Sequence, residues 1–149
     1  MRELGKQIGG LGNKFGYFAE GMALPSLEKL LSKRFGVEEV MARRSKNIGA
    51  ESIEIDALGV VNGARKEAYI VEVKSHLCSD DIPQIQSTLR RFRTMFPEYT
   101  EYKAFGILAV AHAGKNEIRQ AWKEGLFVVR FDNHLMRFYE PDGFVPTVF

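Results

Sequence analysis

The sequence contains only one cysteine, Cys78, among its 149 residues. A single sulfur excludes both a disulfide framework and a cysteine-based zinc site, because each needs several cysteines. No apolar run approaches the roughly 20 residues that span a bilayer, and no charged-then-apolar leader opens the chain. A strong charge of one sign is also missing, since 21 lysines and arginines stand against 19 aspartates and glutamates. We therefore expect a soluble, cytoplasmic domain without membrane contact, and the net charge of +2 favours no particular partner.

The residues that are present are typical of one globular domain. Hydrophobic residues make up 45% of the chain and charged residues 27%, which excludes intrinsically disordered and collagen-like classes. Because no repeat, linker or low-complexity stretch divides it, we interpret residues 1–149 as a single domain with a glycine-rich helical segment over 1–35 and a C-terminal tail over 135–149. Pro25 should stand in the first turn of the second of two helical pieces in the N-terminal segment, and Gly36 should end that piece.

Strand periodicity begins after this helical segment and then alternates with helical periodicity. The patterns predict three strands, a helix, a strand, a helix and a strand, at residues 37–44, 52–61, 68–74, 80–96, 105–111, 116–124 and 126–131. The tail contains a candidate short edge strand. Consecutive antiparallel strands followed by helical crossovers indicate an α/β fold with a mixed central sheet flanked by helices, in the order α-β-β-β-α-β-α-β.

Polar residues alternate with apolar ones inside the second predicted strand. Strict alternation places Ile53, Ile55 and Ala57 on one face of this strand, and Glu54 and Asp56 on the other. Acidic residues are disfavoured inside strands, so their presence here indicates a role other than strand formation.

The third predicted strand carries Glu72 and Lys74 between valines. If the second and third strands form a hairpin whose turn is centred on Ala64, Asp56 lies opposite Glu72, and Glu54 lies opposite Lys74. A two-residue turn made by the Asn-Gly pair alone would shift the register and place Glu72 on the wrong face. The hypothesis therefore requires a longer loop or a bulge at this turn.

Two carboxylates and a lysine on one patch are typical of a magnesium site. Mg²⁺ prefers oxygen ligands and commonly takes one or two carboxylates together with waters and phosphate oxygens. We predict Asp56 and Glu72 as ligands, with Lys74 orienting an attacking water. The simpler alternative is an amphipathic hairpin whose solvated face carries cross-strand ion pairs worth under about 1 kcal/mol each.

The same residues resemble the PD-(D/E)XK nuclease superfamily, also described as restriction-endonuclease-like. The resemblance rests on Ile55-Asp56, on Glu72-Val73-Lys74 and on a core order of helix, three-strand meander, helix and strand. It implies a metal held by Asp56, Glu72 and the backbone carbonyl of Val73, with Lys74 acting on the water. The proline of the family motif is replaced by Ile55, which is common in the superfamily.

The resemblance also implies roles for residues on the helices. The acid of the first helix corresponds best to Glu20, and a polar residue of the next helix to either Gln84 or Gln86, between which the sequence does not choose. The stretch from Leu11 to Gly16 further resembles a prokaryotic branch of the superfamily. Members of that branch often carry a helical or coiled-coil segment ahead of the nuclease-like domain, so this chain is expected to be a minimal version or part of a longer product.

The leading functional hypothesis is a Mg²⁺- or Mn²⁺-dependent nuclease that cleaves phosphodiester bonds, in DNA. Basic residues near the predicted site could contact phosphates, since each neutralised phosphate releases counterions; they are Arg43, Arg44, Lys46, Arg90 and Arg91. The alternative is a non-catalytic nucleic-acid-binding or protein-interaction module on the same fold. In that case the glycine-rich helix and the apolar tail over 144–149 could support a homodimer. A third hypothesis, an enzyme acting on a small phosphate ester, lacks a recognised phosphate loop.

Overall fold

The computed structural model describes residues 24–132 and 135–149. These residues form three helices, six strands and one short 3₁₀ turn. In chain order the elements are α1 (Leu24–Phe35), β1 (Glu39–Ile48), β2 (Glu51–Val61), β3 (Glu67–Leu77), α2 (Asp81–Met95), the 3₁₀ turn (Pro97–Tyr99), β4 (Lys103–Ala113), α3 (Lys115–Lys123), β5 (Phe127–Asp132) and β6 (Leu135–Phe138). The predicted order is confirmed, and β6 is the edge strand expected in the tail. The first of the two predicted helical pieces and Glu20 lie outside the described residues.

The six strands form one mixed sheet in the order β1-β2-β3-β4-β5-β6. Neighbouring strands are antiparallel from β1 to β3 and from β5 to β6, whereas the β3–β4 and β4–β5 pairs are parallel. Each parallel pair needs a crossover, which α2 and α3 supply. The predicted α/β class with a mixed central sheet flanked by helices is therefore confirmed.

The helices cover both faces of the sheet and create two apolar clusters. One, which we call the α1 cluster, joins Leu27 and Leu31 of α1 to strand residues such as Val71. The other, the α2–α3 cluster, joins residues of α2 such as Leu89 to Ile118 of α3 and to the opposite sides of the strands. Within the described part of the chain, no helix is long and apolar enough to cross a membrane.

Helix α1 begins and ends where its sequence predicts. Pro25 lies in its first turn, where a missing N–H costs nothing. Gly36 follows its last residue with φ of +72°, a conformation that glycine adopts without a steric penalty. The Gly36 N–H donates to the Ser32 carbonyl at 2.9 Å, which closes the helix end.

Strand β1 is longer than its sequence predicts. The prediction ended the strand at Arg44 and treated the next polar residues as lying beyond it, whereas β1 continues to Ile48. The reason is a tight turn after Ile48, which pairs Ile48 with Glu51 and so keeps the polar residues in the ladder. Polarity was a poor guide here because this hairpin extends past the rest of the sheet and both of its faces are partly solvated.

The β2–β3 hairpin has the register that the site hypothesis requires. Its last pair is Val61 with Glu67, so the loop is centred on Ala64, as predicted. At the other end the ladder stops at the pair of Ala57 with Val71, although β2 stays paired with β1 as far as Glu51. Strand β2 therefore leaves β3 immediately before the position where Asp56 and Glu72 would face each other.

The C-terminal tail is anchored to the sheet. The Phe149 N–H donates to the Ala104 carbonyl at 2.9 Å, and the Thr147 N–H donates to the Gly125 carbonyl at 3.1 Å. Val145 and Val148 remain exposed, at 75% and 53%. The tail, which the alternative hypothesis offers for self-association, is thus hydrogen-bonded to its own chain at Thr147 and Phe149, while these two valines stay accessible.

Candidate active site

A local kink separates the regular part of β2 from the arm that it forms with β1. Ala42 pairs with Ala57 and Arg44 with Ile55, but no pair joins the two residues between them, Arg43 and Asp56. Arg43 has φ of +56°, which is rare for a residue with a side chain. Two strands cannot keep a regular pleat through such a conformation, so the alternation of side chains is interrupted at this point.

The kink corrects the predicted faces of β2. Ile53 and Ile55 belong to the α2–α3 cluster, together with Leu58, whereas Ala57 belongs to the α1 cluster. The prediction that Ile53, Ile55 and Ala57 share a face is therefore wrong. Simple alternation failed because it assumes a regular strand, and the left-handed residue on β1 breaks that assumption.

The carboxylate of Asp56 takes the place of a backbone hydrogen-bond acceptor where the pairing of β2 with β3 ends. Its Oδ2 accepts a hydrogen bond from the Val73 N–H at 2.8 Å, just beyond the last β2–β3 pair. Burial raises the pKa of Asp56 above its ordinary value, and the charge of Glu54 adds to this effect, while the Val73 N–H, Lys74 and Arg43 oppose it. The side chain is thus fixed in position and partly removed from water.

Glu72 carries the largest carboxyl shift at the site. Burial, together with the negative charge of Asp56, raises the pKa of Glu72 to about 7, while the Lys74 ammonium opposes the shift. Two carboxylates with raised pKa values form a local excess of negative charge, which a bound cation would relieve.

Lys74 is held between two acids from different elements. Its Nζ lies 3.8 Å from Oε2 of Glu72 and 3.3 Å from Oδ1 of Asp81. The other oxygen of Asp81 accepts the Cys78 N–H at 2.7 Å, so this carboxylate is itself oriented. The ammonium therefore sits in a defined place beside Glu72.

Sequence reasoning missed Asp81. An acid in the first turn of a helix is favoured by the helix dipole, so the sequence could have placed Asp81 at the start of α2. Its contact with Lys74 arises only because α2 begins directly after β3 and turns back over the sheet.

The donor set at this point fits a hard divalent cation. Asp56 and Glu72 supply carboxylate oxygens, and Val73 adds a carbonyl. In an extended strand the N–H and C=O of one residue point to the same edge, so the Val73 carbonyl faces β2 where the ladder has ended. No group of three or more Asp, Glu, His or Cys side chains in residues 24–132 and 135–149 could hold a metal ion. Magnesium does not need one, because it keeps several waters.

A cleft of about 240 Å³ opens beside these groups, between the β2 arm and α2. Polar side chains from three elements line it: Glu54 from β2, Glu72 and Lys74 from β3, and Asp81, Gln84 and Arg91 from α2. Asp56 is not among the lining residues. The cleft gives a ligand direct access to Glu72 and Lys74.

The structure separates the two glutamines between which the sequence could not choose. Gln84 lines the cleft. The Nε2 of Gln86 instead donates to Oε1 of Glu124 at 2.9 Å, joining α2 to the end of α3. Gln84 is therefore the one placed to meet a ligand.

Three of the five predicted phosphate contacts already have partners within the fold. Nη1 of Arg91 donates to the Ser52 carbonyl at 2.9 Å, which ties α2 to the arm along the cleft. Arg44 and Lys46 place their cationic groups 4.8 Å and 5.2 Å from the centre of the Phe96 ring. Those two side chains cover the end of α2 and lie away from the cleft lining.

The remaining two predicted phosphate contacts, Arg43 and Arg90, are exposed. Neither of them lines the cleft. Arg43 is the neighbour of Asp56 across the kink.

No protein-family model and no curated protein sequence matches this chain. Two solved structures resemble its fold, each over 71% of the chain. An EndoMS–dsDNA2 complex aligns with a TM-score of 0.44 and 19% identity, over 43% of its own chain. A repair endonuclease from Pyrococcus abyssi aligns with a TM-score of 0.41 and 17% identity, over 45% of its own chain. This protein thus spans less than half the length of either structure, and its chemistry has to be inferred from its own residues.

Proposed function

We propose that this chain is a nuclease-type domain that hydrolyses phosphodiester bonds, in DNA, with Mg²⁺ or Mn²⁺ as its cofactor. The observation that carries the proposal is the convergence of Asp56, Glu72, the Val73 carbonyl and Lys74 where β2 leaves β3, beside an open cleft. The motif and the element order add to it, because both resemble the PD-(D/E)XK superfamily.

Each group has a distinct role in this reaction. Asp56, Glu72 and the Val73 carbonyl would hold the cation, which supplies Lewis-acid polarisation of the phosphodiester and a bound water of lowered pKa. Lys74 would orient the attacking water and offset negative charge on the phosphoryl oxygens. The water oxygen bonds to phosphorus, the bond to one sugar oxygen breaks, and the products are a phosphate monoester and a free hydroxyl.

Burial argues against a merely solvated hairpin face. Exposed cross-strand ion pairs would leave both carboxyl groups close to their ordinary pKa values. Here burial raises the pKa of Asp56 and also that of Glu72, which is an unfavourable arrangement for a surface without a ligand. Shifts of this kind, caused by desolvation and a specific charge partner beside a cleft, are typical of functional sites.

The test is cleavage of duplex DNA, single-stranded DNA and RNA by the purified chain with Mg²⁺, Mn²⁺ or EDTA. We expect cleavage that requires the divalent ion and falls at least about a hundredfold in Asp56→Asn, Glu72→Gln and Lys74→Ala. Asp142→Asn is the matched control, because it removes one carboxylate from an exposed turn in the tail.

Two outcomes would redirect the proposal. Undiminished cleavage in all three site variants would refute the assignment of these residues. Binding of nucleic acid without cleavage under any divalent ion would favour the non-catalytic binding module on the same fold.

A further inference from the structure

Arg43 is the most unusual backbone position near the site. Its φ of +56° lies in the left-handed region, where a residue with a Cβ is disfavoured by about 1–2 kcal/mol. Regular pairs flank it on both sides, so the strain is confined to Arg43 and its unpaired neighbour across the strands, Asp56. Strain of this kind persists where the surrounding structure over-determines it, and it is found preferentially at ligand sites.

Among the described residues, no side chain forms an ion pair with Arg43. In the described part of the chain its side chain is exposed and makes no hydrogen bond, ion pair or ring contact. Arg44, the next residue, differs in all three respects, since it contacts Met41, Glu98 and Phe96. The electrostatic effect of Arg43 falls on Asp56, whose pKa it lowers.

The same arm carries neutral polar groups on β1, opposite the part of β2 that lines the cleft. Ser45 pairs with Glu54 and Asn47 pairs with Ser52, and both of these β2 partners line the cleft. Because directly opposed residues share a face, Ser45 and Asn47 lie on the same face of the arm as these two residues, although neither lines the cleft itself. Hydroxyl and amide groups are common partners of nucleic-acid phosphates, so this face can accept a backbone that passes the site.

We propose that Arg43 is a substrate-positioning residue, whose guanidinium binds a backbone phosphate of a nucleic-acid strand that runs from the cleft past the kink at Arg43 and Asp56. The proposal rests on the proposed function and adds to it the part of the site that recognises the polyanion. A guanidinium suits this task because its planar fork can donate two hydrogen bonds to one phosphate. Arg43 also supplies positive charge on β1, next to the acidic residues Glu54 and Asp56 of β2.

The test measures binding, with Ca²⁺ in place of Mg²⁺, of a fluorescent duplex and a single-stranded oligonucleotide across a salt series. Arg43→Ala should weaken binding about tenfold and reduce the slope of log K against log salt by about 0.7–0.9, the loss of one phosphate contact. Arg43→Lys should restore part of the affinity. Arg119→Ala removes an equally exposed arginine from α3, far along the chain from the arm, and should leave the slope unchanged.

Arg43→Gly separates binding from backbone strain. Glycine adopts φ of +56° freely, so this variant should unfold at a temperature equal to or above the wild type while binding as weakly as Arg43→Ala. Wild-type affinity in Arg43→Gly would show that the arginine only shapes the kink and would overturn the proposal. An unchanged salt slope in Arg43→Ala would overturn it too.

The two proposals fail in distinguishable ways. If the wild type binds nucleic acid and Arg43→Ala shows the predicted reduction in salt slope, but no cleavage occurs with any cation, the positioning role stands and the hydrolytic function falls. If cleavage occurs and the Arg43 variants bind normally, only the positioning role is lost. A wild type that binds no nucleic acid would overturn the role of Arg43 directly.

Discussion

At Glu72, burial and the neighbouring Asp56 charge act in the same direction, and the single lysine beside them does not cancel either. The folded protein therefore binds a proton at Glu72 more tightly than the unfolded chain does. An arrangement that destabilises its own ionised form is tolerated in a protein when a ligand uses it. The consequence can be measured without any substrate.

We predict that, without divalent ions, the free energy of unfolding falls as pH rises. The pKa of Glu72 is about 7 when folded against an ordinary 4.5, so its stabilising proton is fully bound below pH 4.5 and is lost as pH rises through 7. The loss is at most about 3.5 kcal/mol, from about 1.4 kcal/mol per pKa unit. The raised pKa of Asp56 acts in the same direction.

Chemical denaturation in EDTA at pH 5 and pH 8 measures this effect. Glu72→Gln cannot ionise, so it should lose most of the pH dependence and be more stable than the wild type at pH 8. Asp142→Asn, on the exposed tail, should keep the wild-type dependence. Equal pH dependence in Glu72→Gln and the wild type would contradict the burial-driven shift.

Among the elements, the position of α2 decides whether the cleft exists, because α2 forms one of its walls. This helix packs on β4 at Gly106, where the backbone of the strand approaches the side chains above it. A Cβ built at Gly106 would lie 2.7 Å from Leu126 Cδ2 and 2.7 Å from Leu89 Cδ1. Both leucines are fully buried, so neither can move into solvent.

We predict that Gly106→Ala lowers the free energy of unfolding by about 1–3 kcal/mol, because the added methyl group overpacks the contact between α2 and β4. Gly63→Ala is an informative comparison. Gly63 has φ of +72° and no neighbouring atom within 4 Å of an added Cβ, so that change costs only backbone strain of about 1–2 kcal/mol.

The two glycine variants should differ in what they do to the cleft. Gly106→Ala should also weaken nucleic-acid binding, since it displaces the cleft wall, whereas Gly63→Ala should leave binding intact. Thermal unfolding together with oligonucleotide affinity distinguishes them. Full affinity in a destabilised Gly106→Ala would show that α2 does not set the cleft.

Element types and the critical hairpin register could be predicted from the sequence, while the local irregularities could not. The predicted loop centred on Ala64 matches the register of the β2–β3 pairs, although these pairs end at Ala57 with Val71, one position before Asp56 and Glu72. The left-handed conformation of Arg43 could not be predicted, because an arginine within a strand pattern carries no signal of positive φ. Asp81 was missed for a different reason: its contact with Lys74 is tertiary, and periodicity reports only on local structure.

For the molecule as a whole, a net charge of +2 hides an uneven distribution. Acidic groups outnumber basic ones in the cleft lining, where Glu54, Glu72 and Asp81 accompany Lys74 and Arg91. A polyanion would be repelled from such a surface unless a cation neutralised it first. From this local excess of acidic groups we expect that the proposed cation must bind before nucleic acid can bind at this site.

We predict accordingly that Mg²⁺ raises the melting temperature of the wild type at pH 8 by several degrees, in a saturable manner. A ligand at a hundred times its dissociation constant stabilises a protein by about 2.7 kcal/mol, and a domain of this size gains about 2–4 °C per kcal/mol. Asp56→Asn and Glu72→Gln should lose the response, whereas Asp142→Asn should keep it. NaCl at matched ionic strength should have no comparable effect, because it only screens charge.

A Mg²⁺ response that survives in both site variants would place the cation elsewhere, and no response in the wild type would remove the metal from the mechanism.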